Sequence, residues 1–359
     1  MTTQLGIIGA GLMGGGIALD AARHGVHVRV YDARPESIAA LRERANNVYA
    51  RWVRNGRMSV DDAAAALHRL VPVSSLANLS GSNLLIEAIF EDLGAKRRLM
   101  ESLAPHVSPE AIVASNTSAL RVGAIADGFP FAGRVLGLHY FSPAEVSPLV
   151  EVVRAEKTED ETVARALTFL GETSRTPLHC TDTPGFAINR FFCPYYNEAT
   201  RIVEDRLATP AEVDATARER LGVAAGPFAV MNLIRPIVAA QAMANLSSLG
   251  PFYRPTRLLM EQAERNQGWP LEEAAGLPGC AHEVERRLVG ALAVPSLELA
   301  SEQVADPGET DRGAVLALRF SRGPFALMRG YPPEVLRDAV KALCIRDGHP
   351  LRHMTLSEP

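Results

Sequence analysis

In this 359-residue chain, the residues best suited to moving a proton are a histidine at the end of one apolar run and a carboxylate twelve residues on. His139 lies in residues 135–140, which read as a strand, and Glu151 lies in residues 149–153, which read as the next one. A contact between two such strands is geometrically reasonable. An imidazole exchanges protons near neutral pH, and a neighbouring carboxylate fixes its tautomer and favours its charged form. A surface histidine or a satisfied core histidine fits the same local pattern.

A second constellation points to a dinucleotide. Gly9-Ala10-Gly11-Leu12-Met13-Gly14 is a G-x-G-x-x-G run placed after a strand-like segment and at the opening of a helix-like one. Gly9 permits a tight turn, Gly11 lets the backbone approach a pyrophosphate, and Gly14 lets helix and strand pack closely. The helix N-terminus opened by Leu12 and Met13 faces the negative charge. Asp32 follows 18 residues after Gly14, at the end of the next strand, where a carboxylate accepts from both ribose hydroxyls. Its charge disfavours the 2′-phosphate of NADP, although Arg34 is near enough to host one. A structural turn followed by a surface aspartate is the competing reading. A third cluster, Ala114-Ser-Asn116-Thr117-Ser118-Ala-Leu120, ends another strand with small hydrogen-bonding groups. Thr117 or Ser118 also suits the N-cap of a following helix.

These groups need a scaffold of strands. Residues 5–9, a helix over 13–24 and a strand over 26–32 form a βαβ unit, which implies a parallel sheet. Residues 34–70 read as a long helical excursion. Further strands are expected at 84–88, 112–115, 135–140 and 149–153, the last closing the first domain. After Asp182 the periodicity is helical, and the TDTPGF break places a boundary near residues 180–184. Within the helical half, residues 204–231 align without gaps on 301–328, an offset of 97, with 11 of 28 positions identical. Chance would give roughly two at ordinary composition. The reading is an α/β Rossmann-type domain (1–182) followed by an all-α region of two repeated helical domains, 183–282 and a shortened 283–359.

Composition narrows the classes. Hydrophobic residues make up 47% and charged residues 22%, an ordinary globular mixture. A net charge of −4 without a basic block argues against nucleic acid as a partner. The start lacks the basic region of a signal peptide, and no run approaches about 18 unbroken apolar residues, so a cytoplasmic protein with no membrane partner is expected. Cys180, Cys193, Cys280 and Cys344 share no CxxC spacing and read as free thiols or small core residues, and no metal site is expected.

GAGLMGGGIA, LIEAIFEDLGAKRRL, ASNTSAL, GLHYFSPAEVSPLVEVV, DTPGFAINR and the GPF element together resemble the short- and multifunctional-chain 3-hydroxyacyl-CoA dehydrogenases, over residues 4–232. The second helical copy is similar to the duplicated C-terminal domains of the multifunctional enzymes of β-oxidation, without their hydratase portion. The resemblance implies NAD as cofactor and reversible oxidation of a (3S)-3-hydroxyacyl-CoA to the 3-oxoacyl thioester. It makes His139 the base that takes the hydroxyl proton and Glu151 the group that orients it. Ser118 and Asn189 would hold the substrate oxygens, while Glu91, Lys96 and Asn116 would line the cofactor. A helix-start cap after Pro184-Gly185 is the alternative for Asn189. In the simpler relatives one helical domain pairs with its twin in a dimer. Here the second copy can take the twin's place within one chain, through a connection near residues 276–284, and leaves a homodimer through another surface open. Two departures stand out. HYFSP has Ser142 where HFFNP is common, and Asn232 and Arg235 replace the usual Asp and Gly after GPF, which puts acyl-chain preference in doubt. Arg235 reads as a surface residue or a partner for a substrate carboxylate. Competing functions are the same chemistry on an acyl-carrier-protein thioester or a free 3-hydroxy acid such as gulonate or carnitine, and a non-catalytic dinucleotide-binding protein.

Overall fold

The computed structural model describes residues 3–271 and 277–351. Residue 276, where the connection between the helical copies is expected to begin, lies outside them. The chain divides into two compact units, Met1–Asp182 and Thr183–Pro359.

The first unit is a single sheet of β1 (Gln4–Ile8), β2 (His27–Tyr31), β3 (Leu70–Pro72), β4 (Leu84–Glu87), β5 (Ile112–Ser115), β6 (Val135–Tyr140), β7 (Leu149–Arg154) and β8 (Thr176–Thr181). Their order is β3-β2-β1-β4-β5-β6-β7-β8. The helices are α1 (Leu12–Arg23), α2 (Pro35–Arg54), α3 (Val60–Arg69), α4 (Leu93–Leu103), α5 (Val122–Ile125) and α6 (Asp160–Glu172). Leu5, Ile7 and Ile8 of β1 and all four residues of β4 are buried, which is why these strands read as unbroken apolar runs. The chain runs outward from β1 to β3 and then crosses back to β4. The order therefore reverses between β1 and β4, and ligands of such sheets bind outside the carboxyl ends of the strands at that point.

Three expectations change. The strand at 149–153 does not end the unit, because β8 follows it and pairs parallel to β7. β8 is an edge strand with Pro177 near its start and only Leu178 and Cys180 buried, so its sequence carries little strand signal. The sheet is also not wholly parallel. The connection of residues 141–148 is too short for a crossover, and β6 pairs antiparallel with β7. Residues 34–70 form two helices rather than one, broken where Gly56 takes φ +67 and restarted by the Ser59 side chain, which accepts from Asp62 N at 3.0 Å.

The second unit consists of α7 (Ile188–Glu204), α8 (Pro210–Thr216), α9 (Pro227–Ile234), α10 (Pro236–Ala244), α11 (Arg257–Arg265), α12 (Ala281–Ser301), α13 (Pro307–Leu318), α14 (Pro324–Met328) and α15 (Pro333–Asp347). Several local features recur 97 residues apart. The Asp214 carboxylate accepts from Phe228 N (2.8 Å) and Ala229 N (2.9 Å), and Asp311 accepts from Phe325 N and Ala326 N at the same distances. A Cβ on Gly226 or Gly323 would lie 2.3 or 2.2 Å from these aspartates, which explains the glycine of each GPF. Val223 and Phe320, also 97 apart, form an antiparallel bridge with each other.

Asn232 turns out to serve packing: its amide donates to Trp269 O at 3.0 Å and accepts from Trp269 N at 2.6 Å. Arg235 is exposed between α9 and α10 with φ +78, a backbone conformation that suits the glycine it replaces. Cys180, Cys193 and Cys344 are buried thiols and Cys280 a half-buried one. Among the described residues no single helix is long and apolar enough to cross a membrane.

Candidate active site

The antiparallel pairing of β6 and β7 sets His139 directly opposite Glu151. His139 Nδ1 lies 2.6 Å from Glu151 Oε2, with the carboxylate fully buried and the imidazole 8% exposed. The Phe141 ring stands 4.6 Å from the imidazole, centroid to centroid. With Nδ1 donating to the carboxylate, Nε2 is the basic nitrogen. A proton gained there leaves an imidazolium against a fixed negative charge, an arrangement suited to general-base work.

The glycine loop joins β1 to α1. Gly9 has φ +102, and a Cβ on Gly14 would lie 1.9 Å from Gly9 O, so both positions need glycine for local geometry. A Cβ on Gly11 would meet nothing within 4 Å; the protein's own packing does not demand that glycine, and the open backbone there suits close approach of a phosphate. Leu12, the first residue of α1, is 65% exposed, whereas Met13 packs on the core. Asp32 Oδ2 accepts from Ala10 N at 2.8 Å and Oδ1 from Arg34 N at 2.9 Å, so this carboxylate also holds the loop in place. Beside it a cavity of about 310 Å³ is lined by Tyr31, Asp32, Pro35, Ile38, Val73 and Ser74. The open loop, the carboxylate and this cavity fit the adenosine half of NAD. Arg44, which the motif gives no hint of, braces the loop: it donates to Leu12 O at 2.7 Å and to both Glu145 oxygens at 2.9 and 2.8 Å.

Asp32→Ala is expected to raise the Michaelis constant for NAD roughly 10- to 150-fold, the worth of a lost charge-assisted hydrogen bond of about 1.5–3 kcal/mol. The constant for the second substrate should change far less. Steady-state kinetics with both cofactors test this, and a wild-type preference for NADP would refute it.

A third cluster joins the ends of β4 and β5 to α4. Lys96, 1% exposed, places Nζ 2.6 Å from Glu87 Oε1 and 3.3 Å from Glu91 Oε2. Glu87 also accepts from Ser115 Oγ at 2.5 Å and Ile89 N at 2.8 Å. Sequence reasoning passed over Glu87, although a carboxylate inside the apolar run LLIE is a usable signal that a buried cation must answer it. Glu91 accepts from Thr117 Oγ1 (2.6 Å) and Ser118 N (2.9 Å). Burial alone would raise the Glu91 pKa, but the Lys96 charge and the donors from Thr117 and Ser118 outweigh it and hold the carboxyl below its usual range. Asn116 Oδ1 accepts from Tyr140 N at 2.9 Å, tying this cluster to the strand that carries His139.

Neither Thr117 nor Ser118 caps the next helix. Thr117 Oγ1 closes its own turn by accepting from Leu120 N at 2.9 Å, while Asp182 accepts from Val122 N and Gly123 N, both at 2.8 Å, and caps α5. The capping carboxylate comes from 60 residues away, so no local pattern reveals it. The first unit thus gathers Ser118, Glu91, Lys96 and Asn116 in one cluster and His139 with Glu151 in another. Asn189 belongs to the second unit, as the second residue of α7. The N-cap there is Ala187.

Comparison with known proteins gives the family. Residues 4–183 match the family described as 3-hydroxyacyl-CoA dehydrogenase, NAD binding domain, and residues 185–267 match its C-terminal domain. The 3-hydroxyadipyl-CoA dehydrogenase of Escherichia coli K12 is 35% identical over 79% of this chain, and the match spans 60% of that relative's length. The probable 3-hydroxybutyryl-CoA dehydrogenase of Bacillus subtilis is 33% identical over 74% of this chain and 93% of its own. A crystal structure of a 3-hydroxybutyryl-CoA dehydrogenase from Escherichia coli K12 shares the fold, with TM-score 0.88 over 97% of this chain and 95% of that one, at 23% identity.

Proposed function

Because the chain belongs to the 3-hydroxyacyl-CoA dehydrogenase family, we propose that it oxidises the 3-hydroxyl of a (3S)-3-hydroxyacyl-CoA, reversibly. The observation that carries this reading is the buried His139–Glu151 pair at 2.6 Å, a base with its orienting carboxylate, within the same unit as the glycine loop and Asp32. NAD supplies the hydride acceptor when bound. His139 Nε2 takes the hydroxyl proton, and Glu151 stabilises the imidazolium so formed. Ser118 and Asn189 hold the substrate oxygens, and Glu91, Lys96 and Asn116 line the cofactor side. NADH oxidation with acetoacetyl-CoA tests the reading; turnover confined to free acids or carrier-protein thioesters, or none at all, would reject it. A cytoplasmic setting belongs to the same proposal.

The correspondences 97 residues apart in the second unit support a further part of it. Two helical copies, 183–282 and 283–359, pair about a pseudo-twofold axis within one chain. The bridge between Val223 and Phe320 favours this, since an antiparallel pair of equivalent residues lies on such an axis. Ending the chain after about residue 282 removes nearly all of α12 and should expose a large apolar surface, giving dimers or aggregates in light scattering. A truncated protein that stays monomeric and as heat-stable as the parent would contradict the pairing.

A further inference from the structure

Two buried arginines in the second unit are 97 residues apart and each holds one equivalent carboxylate. Arg190, near the start of α7 and 1% exposed, meets Glu302 at 2.7 Å and Glu298 at 3.8 Å, both from the end of α12. Arg287, near the start of α12, meets Asp205 and Glu198 of the α7 end, each at 2.6 Å. Arg190 with Glu302 and Arg287 with Asp205 are therefore equivalent pairs. The surroundings of the two arginines differ. At Glu298 the first copy has Arg201, and only the Arg190 side carries the extra group in which Tyr253 donates to Glu298 and His349 Nε2 lies 2.7 Å from its Oε1. Burial alone would raise the Glu298 pKa, but the bonds from His349 and Tyr253 and the Arg190 charge outweigh it and keep the carboxyl ionised.

The asymmetry falls beside Asn189. Arg190 N donates to Gly185 O at 3.1 Å and closes the turn that opens α7, where Gly185 (φ +76) and the buried Phe186 (φ +50) hold unusual backbone conformations. Arg190 thus belongs to the turn beside Asn189 through its backbone, while its side chain is anchored by Glu302 and Glu298 of the other helical copy. The counterpart of Asn189 in that copy is Arg286, which lies within the regular helix α12 and not beside an opening turn.

We infer that Glu298 and Glu302 of the second helical copy are positioning residues for the substrate contact at Asn189, acting through Arg190. This rests on the reading of Asn189 given above. Misplacing a substrate-holding group by about 1 Å can cost on the order of 10²-fold in rate.

The Arg287 side supplies the control: Asp205 is the counterpart of Glu302, and Glu198 holds Arg346 at 2.7 and 2.8 Å as well as Arg287. Glu298→Gln/Glu302→Gln should lower kcat/KM for acetoacetyl-CoA by about 10- to 100-fold and leave NADH affinity unchanged. Glu198→Gln/Asp205→Asn strips the equivalent arginine and should lower urea stability at least as much while kcat/KM stays within about twofold of the parent. Equal activity losses in both variants, or full activity in the first, would overturn the inference. If the first double variant does not fold, Glu298→Gln alone, which keeps one acceptor oxygen for Tyr253 or His349, is expected to lose activity without loss of NADH binding; wild-type kcat/KM in it would overturn the inference equally. Asn189→Ala separates the two claims. If it is impaired while the Glu298/Glu302 variant is not, only the positioning role fails; if Asn189→Ala is fully active, the substrate role of Asn189 fails first.

Discussion

Replacing His139 with glutamine is expected to lower turnover by about 10²- to 10⁴-fold, the usual worth of a positioned general base, while NADH still binds. Glutamine keeps a polar partner for the buried Glu151 but cannot accept and hold the hydroxyl proton, so the loss is one of chemistry and not of folding. The range corresponds to about 2.7–5.5 kcal/mol of barrier. NADH affinity should survive because the glycine loop and Asp32 sit on β1 and β2, with two strands between them and β6. Glu151→Gln should also be damaging, since it removes the negative charge that stabilises the imidazolium. Near-normal turnover with an unchanged pH profile in Glu151→Gln would show that the two residues do not act as a dyad.

Replacing Lys96 with methionine is expected to destabilise the first unit by about 3–5 kcal/mol, the cost of leaving a buried charge without its partner. Glu87 and Lys96 are each 1% exposed, so water cannot take over for the missing ammonium. Urea unfolding measures the loss, and the double variant Lys96→Met/Glu87→Gln should recover most of it; a single variant within about 1 kcal/mol of the parent would refute the argument. The pH dependence has a defined sign. Glu91 is held below its ordinary range in the folded protein, so its contribution to stability is fully present above the usual carboxylate pKa and is lost as pH falls through the lowered value. Lys96→Met removes the strongest cause of that lowering, and the acid limb of the stability curve should flatten. Thr117 and Ser118 hang on Glu91, so weaker cofactor and substrate binding should accompany the loss.

Much of the site was legible because its signals are local. The loop from Gly9 to Gly14 needs glycine where φ is positive or where a Cβ would strike backbone, and those demands are met within a few residues. Asp32 and His139 stand at strand ends that periodicity alone marks. The His139–Glu151 contact could be anticipated because two neighbouring strands with a short connection leave few registers. Arg44 and Asp182 escaped notice for the opposite reason. Arg44 answers Glu145 across 101 residues and Asp182 caps a helix across 60, and neither partner has any sequence mark beyond its charge. β8 escaped because an edge strand buried at alternate positions, with a proline, carries the same composition as a loop.

By itself the sequence determined the local signals: short-range steric rules wrote the glycine loop, strand periodicity placed His139 and Glu151 on neighbouring strands, and an offset of 97 joined two similar segments that each carry GPF. The tertiary structure alone decided which charges answer one another. It buried Lys96 between Glu87 and Glu91, and set Arg190 against Glu302 and Arg287 against Asp205. The physical reason is range. A glycine turn or a strand pattern is fixed by neighbours along the chain, whereas a buried charge accepts any opposite charge that the fold brings within reach, and only packing selects one.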